Sequence, residues 1–300
     1  MGRQIAQIFA QQGKHVNATD ENLEAVKAGL EEIANGTYGL NSLVERGKLS
    51  KDDAENVLQR INTVDSIENA VRDVDLAIEA VYENLVLKQE IFQRLDKASP
   101  ENAILASNAS TLSITKIAAN VKVKERVIGL HFFNPAQITK LVEIVKSDQT
   151  SKQTVRRAFE LVTSLGKTAI LARDEPGFVA NRLGLSLYIE ASRMLEYGIA
   201  NIKDIDMAMK LGYNHPMGPF ELADFVGLDT RMRNLESMFN STGDEKWIPP
   251  KILREMVNQG YLGDPKRKTG SKGGYYTLYE KKNSPYSSNP FIVSKTTFSQ

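Results

Sequence analysis

The sequence predicts an α/β fold in two parts: a doubly wound parallel sheet, then an all-helical C-terminal domain. Three observations predict it. Short apolar stretches alternate with amphipathic ones as far as Asp174, the pattern of parallel strands joined by helices. Beyond that point almost every apolar residue recurs at helical spacing. Three hundred residues also suffice for about two domains. The boundary falls at the DEPGF turn, residues 174–178, giving domains 1–175 and 176–300.

Each element has its own signal. Ile5, Ala6, Ile8 and Phe9 share one face of an opening helix, which Gly13 stops. Residues 15–19 form a short strand ending at Asp20, and a long amphipathic stretch, 23–49, is broken at Gly36 and Gly39. Residues 61–64 make a short strand, and 74–81 (VDLAIEAV) a buried one. A helix over 85–95, a strand over 103–107, a helical turn at 115–119 and a strand over 127–133 (VIGLHFF) follow. Strands at 141–145 and 168–171 flank a helix over 153–165. The second part reads as helices over 178–197, 202–210, 219–239 and 250–259. The tail from Lys281 is rich in Ser, Pro and Asn and is expected to fray.

Composition excludes several function classes. Lys plus Arg is 38 against 37 for Asp plus Glu, a net charge of +1. Such a chain has no global field for gripping nucleic acid or anionic membrane. The absence of Cys removes disulfides, thiolate metal sites and Cys nucleophiles. No leader pattern and no run of apolar residues long enough to cross a bilayer is visible. The expectation is a cytoplasmic protein with no metal, membrane or nucleic-acid partner.

The opening has a further reading. In a dinucleotide-binding unit a first strand enters G-x-G-x-x-G, and a carboxylate follows about 20 residues later. Gly2, a helix, the Gly13 turn, a strand and Asp20 reproduce the second half of that unit. The sheet is therefore expected to be Rossmann-type with its first strand absent from this chain. Met1 then reads as the Met of a G-x-G-x-M-G fingerprint, with about a dozen residues ahead of it. Asp20 would accept from ribose hydroxyls, and no Arg follows closely, which favours NAD over NADP. The plainer alternative is a helix–turn–strand with a surface Asp.

Five separated segments carry a more specific signal: ASNASTLSIT at 106–115, GLHFFNP at 129–135, LVEIV at 141–145, PGFVANR at 176–182 and NHPMGPFELAD at 214–224. In this order and spacing the chain resembles the L-3-hydroxyacyl-CoA dehydrogenase family, especially its short-chain 3-hydroxybutyryl-CoA members. The resemblance extends to about Tyr276. It implies NAD(H)-linked interconversion of (S)-3-hydroxyacyl-CoA and 3-oxoacyl-CoA, and a homodimer formed through the helical domain. It makes His131 the catalytic base, Glu143 the carboxylate that holds its ring, and Ser110 and Asn181 the residues on the substrate oxygen. On the cofactor side it aligns Gly2, Asp20, Ala80, Glu83, Lys88 and Ser110, with Asn134 at the nicotinamide end. Arg46 and Lys48 fall near the place of the coenzyme A phosphates.

The chemistry suits these residue types. Oxidising a secondary alcohol needs a base for the hydroxyl proton, and His titrates near neutrality. A carboxylate on the far ring nitrogen fixes the tautomer and stabilises the imidazolium. Plainer readings stand beside these. His131 in an apolar strand could be a satisfied core residue, and Glu143 a structural ion-pair partner. Ser110 could begin a helix, Asn181 could cap one, and Glu83, Lys88, Arg46 and Lys48 could be solvated charges. Ala109 and Thr111 depart from the family's SNTSSL segment, and loss of the hydroxyl at 109 is expected to loosen the loop. Two other functions are compatible: a crystallin-like, non-catalytic member, or a dehydrogenase of a 3-hydroxy acid without coenzyme A.

Overall fold

The computed structural model describes residues 1–279, so the tail expected to fray from Lys281 lies outside the described residues. The chain divides into two units, Met1–Phe178 and Val179–Gln300.

In the first unit, α1 (Gly2–Gln11) is followed by β1 (Val16–Ala18), α2 (Leu23–Asn35), α3 (Leu40–Glu45), α4 (Lys51–Gln59) and β2 (Ile61–Thr63). Then come α5 (Ile67–Ala70), β3 (Leu76–Glu79), α6 (Leu85–Ala98), β4 (Ile104–Ser107), α7 (Ile114–Ile117), β5 (Val127–Phe132), β6 (Leu141–Lys146), α8 (Lys152–Ser164) and β7 (Thr168–Arg173). Strands β1 and β2 pair in parallel as one small sheet, and β3-β4-β5-β6-β7 form a second. Among the described residues no strand pairs with both sheets. Helix α1 spans both sheets: Ile5 and Ile8 pack with Ile78, Ile104 and Ile128, while Ala6 and Ala10 pack with Val16, Ala18 and Ile61.

One pairing departs from the parallel expectation. Strands β5 and β6 are antiparallel. Their connection, residues 133–140, holds no helix, and a parallel crossover needs one or a loop of similar length. The amphipathic stretch at 23–49 breaks at Gly36 and Gly39 as expected, but α4 follows it unannounced. That helix is mostly polar, and its signal is Ser50, whose side chain accepts from Asp53 N at 3.0 Å.

The second unit is helical: α9 (Ala180–Glu196), α10 (Ile202–Met207), α11 (Pro219–Val226), α12 (Leu228–Thr242), α13 (Lys251–Asn258) and α14 (Tyr275–Tyr279). Its core gathers Tyr188, Phe220, Leu235, Trp247 and Leu253. The single helix expected over 219–239 is two, because Gly227 sits at φ 102° and breaks the path. Two buried carboxylates then cap helices. Asp206 accepts from Phe220 N and Glu221 N, each at 2.8 Å, and Asp224 accepts from Tyr275 N at 2.8 Å and Tyr276 N at 3.2 Å. A Cβ on Gly218 would lie 2.3 Å from Asp206 Cβ, so the first cap requires glycine there. No helix among the described residues is long and apolar enough to cross a membrane.

Candidate active site

The antiparallel pairing of β5 and β6 builds the centre of the site. Register places His131 opposite Glu143, and His131 Nδ1 meets Glu143 Oε2 at 2.7 Å. Both side chains are buried, Glu143 completely. A carboxylate can only accept, so Nδ1 carries a proton, and in the neutral ring the lone pair is then on Nε2. The rings of Phe133 and Phe178 stand 4.4 and 5.7 Å from the imidazole centroid and narrow its choice of orientation.

Ser110 follows β4, and Glu83 follows β3. Because these strands are parallel, with Glu79 opposite Ser107, both loops leave from the same end of the sheet. Glu83 Oε1 accepts from Ser110 N at 2.6 Å, Ser110 Oγ at 2.9 Å and Thr111 N at 3.1 Å. This clamp, with Ala109 buried beneath it, replaces the loosening expected from Ala109. Asp174 holds the next turn, accepting from Ser113 Oγ, Ile114 N and Thr115 N at 2.7 to 2.8 Å.

Lys88 is buried, not a solvated helix charge. Its Nζ donates to Glu79 Oε1 at 2.7 Å and to the Val81 carbonyl at 3.2 Å, and Glu83 Oε2 lies 3.6 Å away. Glu79 also accepts from Ser107 Oγ at 2.7 Å and Val81 N at 2.7 Å. Glu79 and Ser107 were missed in the sequence. The available signal was a carboxylate inside the apolar run VDLAIEAV, which demands a partner as Glu143 does.

The remaining positions lie at strand ends or helix starts. Gly2 opens α1, and a Cβ there would stand 3.8 Å from Ala80 Cβ, just beyond β3. The earliest intrahelical donors of α1 are Gln4 and Ile5, so the Gly2 and Arg3 amides point out of its N-terminus. Asp20 is exposed beyond β1, with Oδ1 accepting from Asn22 N at 3.1 Å. Asn134 is exposed beyond β5, and its Oδ1 accepts from Gln4 Nε2 at 3.0 Å. Gln4 Oε1 in turn accepts from Ala136 N at 2.8 Å, a link between α1 and the 133–140 loop that no sequence pattern announced. Arg46 and Lys48 are exposed after α3, in no salt bridge among the described residues. Asn181 is half-buried in the first turn of α9, in the second unit.

These strand ends fit a dinucleotide. The open amides of α1 suit a pyrophosphate, Gly2 leaves room for its approach, and Asp20 presents a carboxylate where ribose hydroxyls need an acceptor. Such a sheet, with an imidazole–carboxylate pair at the end of its strands, belongs among the nicotinamide-dependent dehydrogenases. Comparison with known proteins sharpens this. The 3-hydroxyacyl-CoA dehydrogenase NAD binding domain matches residues 1–175, and the C-terminal domain of the same family matches residues 177–274. The chain belongs to the 3-hydroxyacyl-CoA dehydrogenase family. It is 42% identical over 281 residues to a Bacillus subtilis protein named "Probable 3-hydroxybutyryl-CoA dehydrogenase", covering 94% of this chain and 95% of that one. It is 40% identical over 280 residues to the mitochondrial hydroxyacyl-coenzyme A dehydrogenase of Rattus norvegicus, covering 92% and 87%. The crystal structure of (S)-3-hydroxybutyryl-CoA dehydrogenase PaaH1 from Ralstonia eutropha superimposes with a TM-score of 0.84 at 39% identity, covering 91% of this chain and 95% of that one.

Proposed function

We propose that this NAD-dependent dehydrogenase interconverts (S)-3-hydroxyacyl-CoA and 3-oxoacyl-CoA, with short acyl chains such as 3-hydroxybutyryl-CoA as its substrates. One observation carries the reading: the buried 2.7 Å contact between His131 Nδ1 and Glu143 Oε2. It leaves Nε2 as a base whose conjugate acid has a countercharge already in place. In the oxidation, Nε2 takes the hydroxyl proton; in the reduction, the imidazolium returns it to the nascent alkoxide. Asn181 supplies a neutral donor to that oxygen, and Ser110 Oγ supplies a second once its hydroxyl turns from Glu83 Oε1 toward the substrate. The bound nicotinamide supplies hydride transfer.

Gly2, Asp20, Ala80, Glu83 and Lys88 hold the cofactor, and Asn134 meets its nicotinamide end. Within this set the Lys88–Glu79 ion pair, at 2.7 Å, acts by shaping the loop that carries Glu83. Arg46 and Lys48 receive the coenzyme A phosphates. The domains are 1–175 for cofactor and 176–300 for substrate and dimerisation. The protein works as a cytoplasmic homodimer.

The test is oxidation of NADH by acetoacetyl-CoA, followed by absorbance, with longer 3-oxoacyl-CoAs as competitors. Turnover that declines with chain length is expected. A folded protein that binds NADH and leaves acetoacetyl-CoA unreduced would refute the reading.

A further inference from the structure

Arg231, on α12, is a buried cation without a countercharge among the described residues. It is 5% exposed. Its Nε is sealed from solvent with no hydrogen-bond partner, and no salt bridge reaches its guanidinium among the described residues. The acidic groups near it in sequence or packing are engaged elsewhere. Asp229 holds Lys268 at 2.5 Å and Arg233 at 3.1 Å, and Asp224 caps α14. What Arg231 does touch is the ring of Tyr188, 5.6 Å from its centroid. Arg stays protonated in proteins, and burying such a charge unpaired is costly. A ligand that brings an anion removes that cost on binding.

The place of the guanidinium narrows the anion. A Cβ added to Gly184 would meet Arg231 Nη1 at 3.9 Å and no other atom within 4 Å. A small group therefore has room at Gly184, with the guanidinium beside it. Gly184 lies three residues from Asn181, on the same face of α9 and about 4.5 Å along its axis. The phosphates of coenzyme A are separated from the thioester by the whole pantetheine arm. An anion that reaches Arg231 while a substrate oxygen sits at Asn181 must belong to the acyl part.

We propose that Arg231 recognises a carboxylate on the acyl part of the substrate. This rests on the assignment of Asn181 to the substrate oxygen. The carboxylate has two chemical sources: the far end of a dicarboxylic 3-hydroxyacyl-CoA, or the acid group of a 3-hydroxy acid free of coenzyme A. Charge-assisted bonds to a buried cation justify a preference of about tenfold or more.

The experiment compares kcat/KM, with NADH, for the mono-coenzyme A thioester of 3-oxoadipate and for 3-oxohexanoyl-CoA, which matches it in length without the charge. Free acetoacetate forms a third arm. The carboxylated thioester should win by about tenfold or more, and R231Q should bring the ratio to about one, while R231K keeps part of it. Reduction of free acetoacetate in preference to both thioesters, lost in R231Q, assigns the same residue to the coenzyme A-free source. Equal efficiency on the two thioesters, with acetoacetate inert, overturns the Arg231 proposal and leaves the dehydrogenase reading standing. Should R231Q fail to fold, the native ratio still decides. Failure to reduce any of these ketones by a protein that binds NADH overturns both.

Discussion

At the residue scale, the proposed mechanism depends on one imidazole and what orients it. His131→Ala should lower acetoacetyl-CoA reduction by about 10²–10⁴-fold, with the NADH dissociation constant little changed in a fluorescence titration. Retained turnover would take His131 out of its role. Glu143→Gln keeps an acceptor for Nδ1 but removes the countercharge to the imidazolium. The imidazolium that forms in alcohol oxidation then has no counterion, so kcat for that direction should fall by about tenfold or more with the NADH dissociation constant little changed. An unchanged kcat would leave Glu143 with packing alone. The Lys88–Glu79 pair is fully interior, each side chain 1% exposed. Lys88→Met strands the Glu79 carboxylate and should destabilise the fold by about 3–5 kcal/mol, measured by urea unfolding. Adding Glu79→Gln should recover part of the loss. His131 with Glu143 was legible because both interrupt apolar strands at a spacing that matches a family. Glu79 with Lys88 carried the same physical cue, a charge that cannot be buried alone, but its partner lies on the following helix.

At the element scale, carboxylates decide where helices of the second unit begin. Asp224 receives two N–H groups from the start of α14, and burial still pushes its pKa up to about 6. Burial raises Asp206 as well. A folded-state pKa above the unfolded value means the native state holds the proton more tightly. The associated stability is present at low pH and is lost as pH rises through about 4 to 6. The melting temperature should therefore decline across that interval, and Asp224→Asn should flatten the slope. A native melting temperature that climbs steadily from pH 4 to pH 7 would contradict this sign. The same element explains what the sequence hid. Helix α14 spans Tyr275–Tyr279, too short for a periodicity to show, and it is held by an aspartate far away along the chain. The break at Gly227 was equally silent, because helical spacing continues on both sides of it.

At the scale of the whole molecule, the second unit exposes Leu183, Tyr197, Leu211 and Tyr213, each at least two-thirds accessible. Large apolar side chains held in water favour burial, which the proposed homodimer would supply. Sedimentation equilibrium should give twice the chain mass of 33.4 kDa, and a single-chain mass at micromolar concentration would remove the homodimer. The division of the chain into a strand–helix part and a helical part follows from local periodicity, which side-chain pattern alone imposes. So do the strands before Asp174 and helices α1, α2, α6 and α8, since apolar runs bounded by Gly and polar turns have few other solutions, whereas polar α4 did not show. By itself the sequence determined these, and its separated segments singled out His131, Glu143 and Ser110 as the candidates for the proposed site. Only the tertiary structure decided that β5 and β6 run antiparallel, that Glu83 closes on Ser110, that Lys88 is interior and that Arg231 lacks a counterion among the described residues. Those facts turn on which distant groups share a desolvated space. Burial and pairing set their energies, and neither can be read from neighbours along the chain.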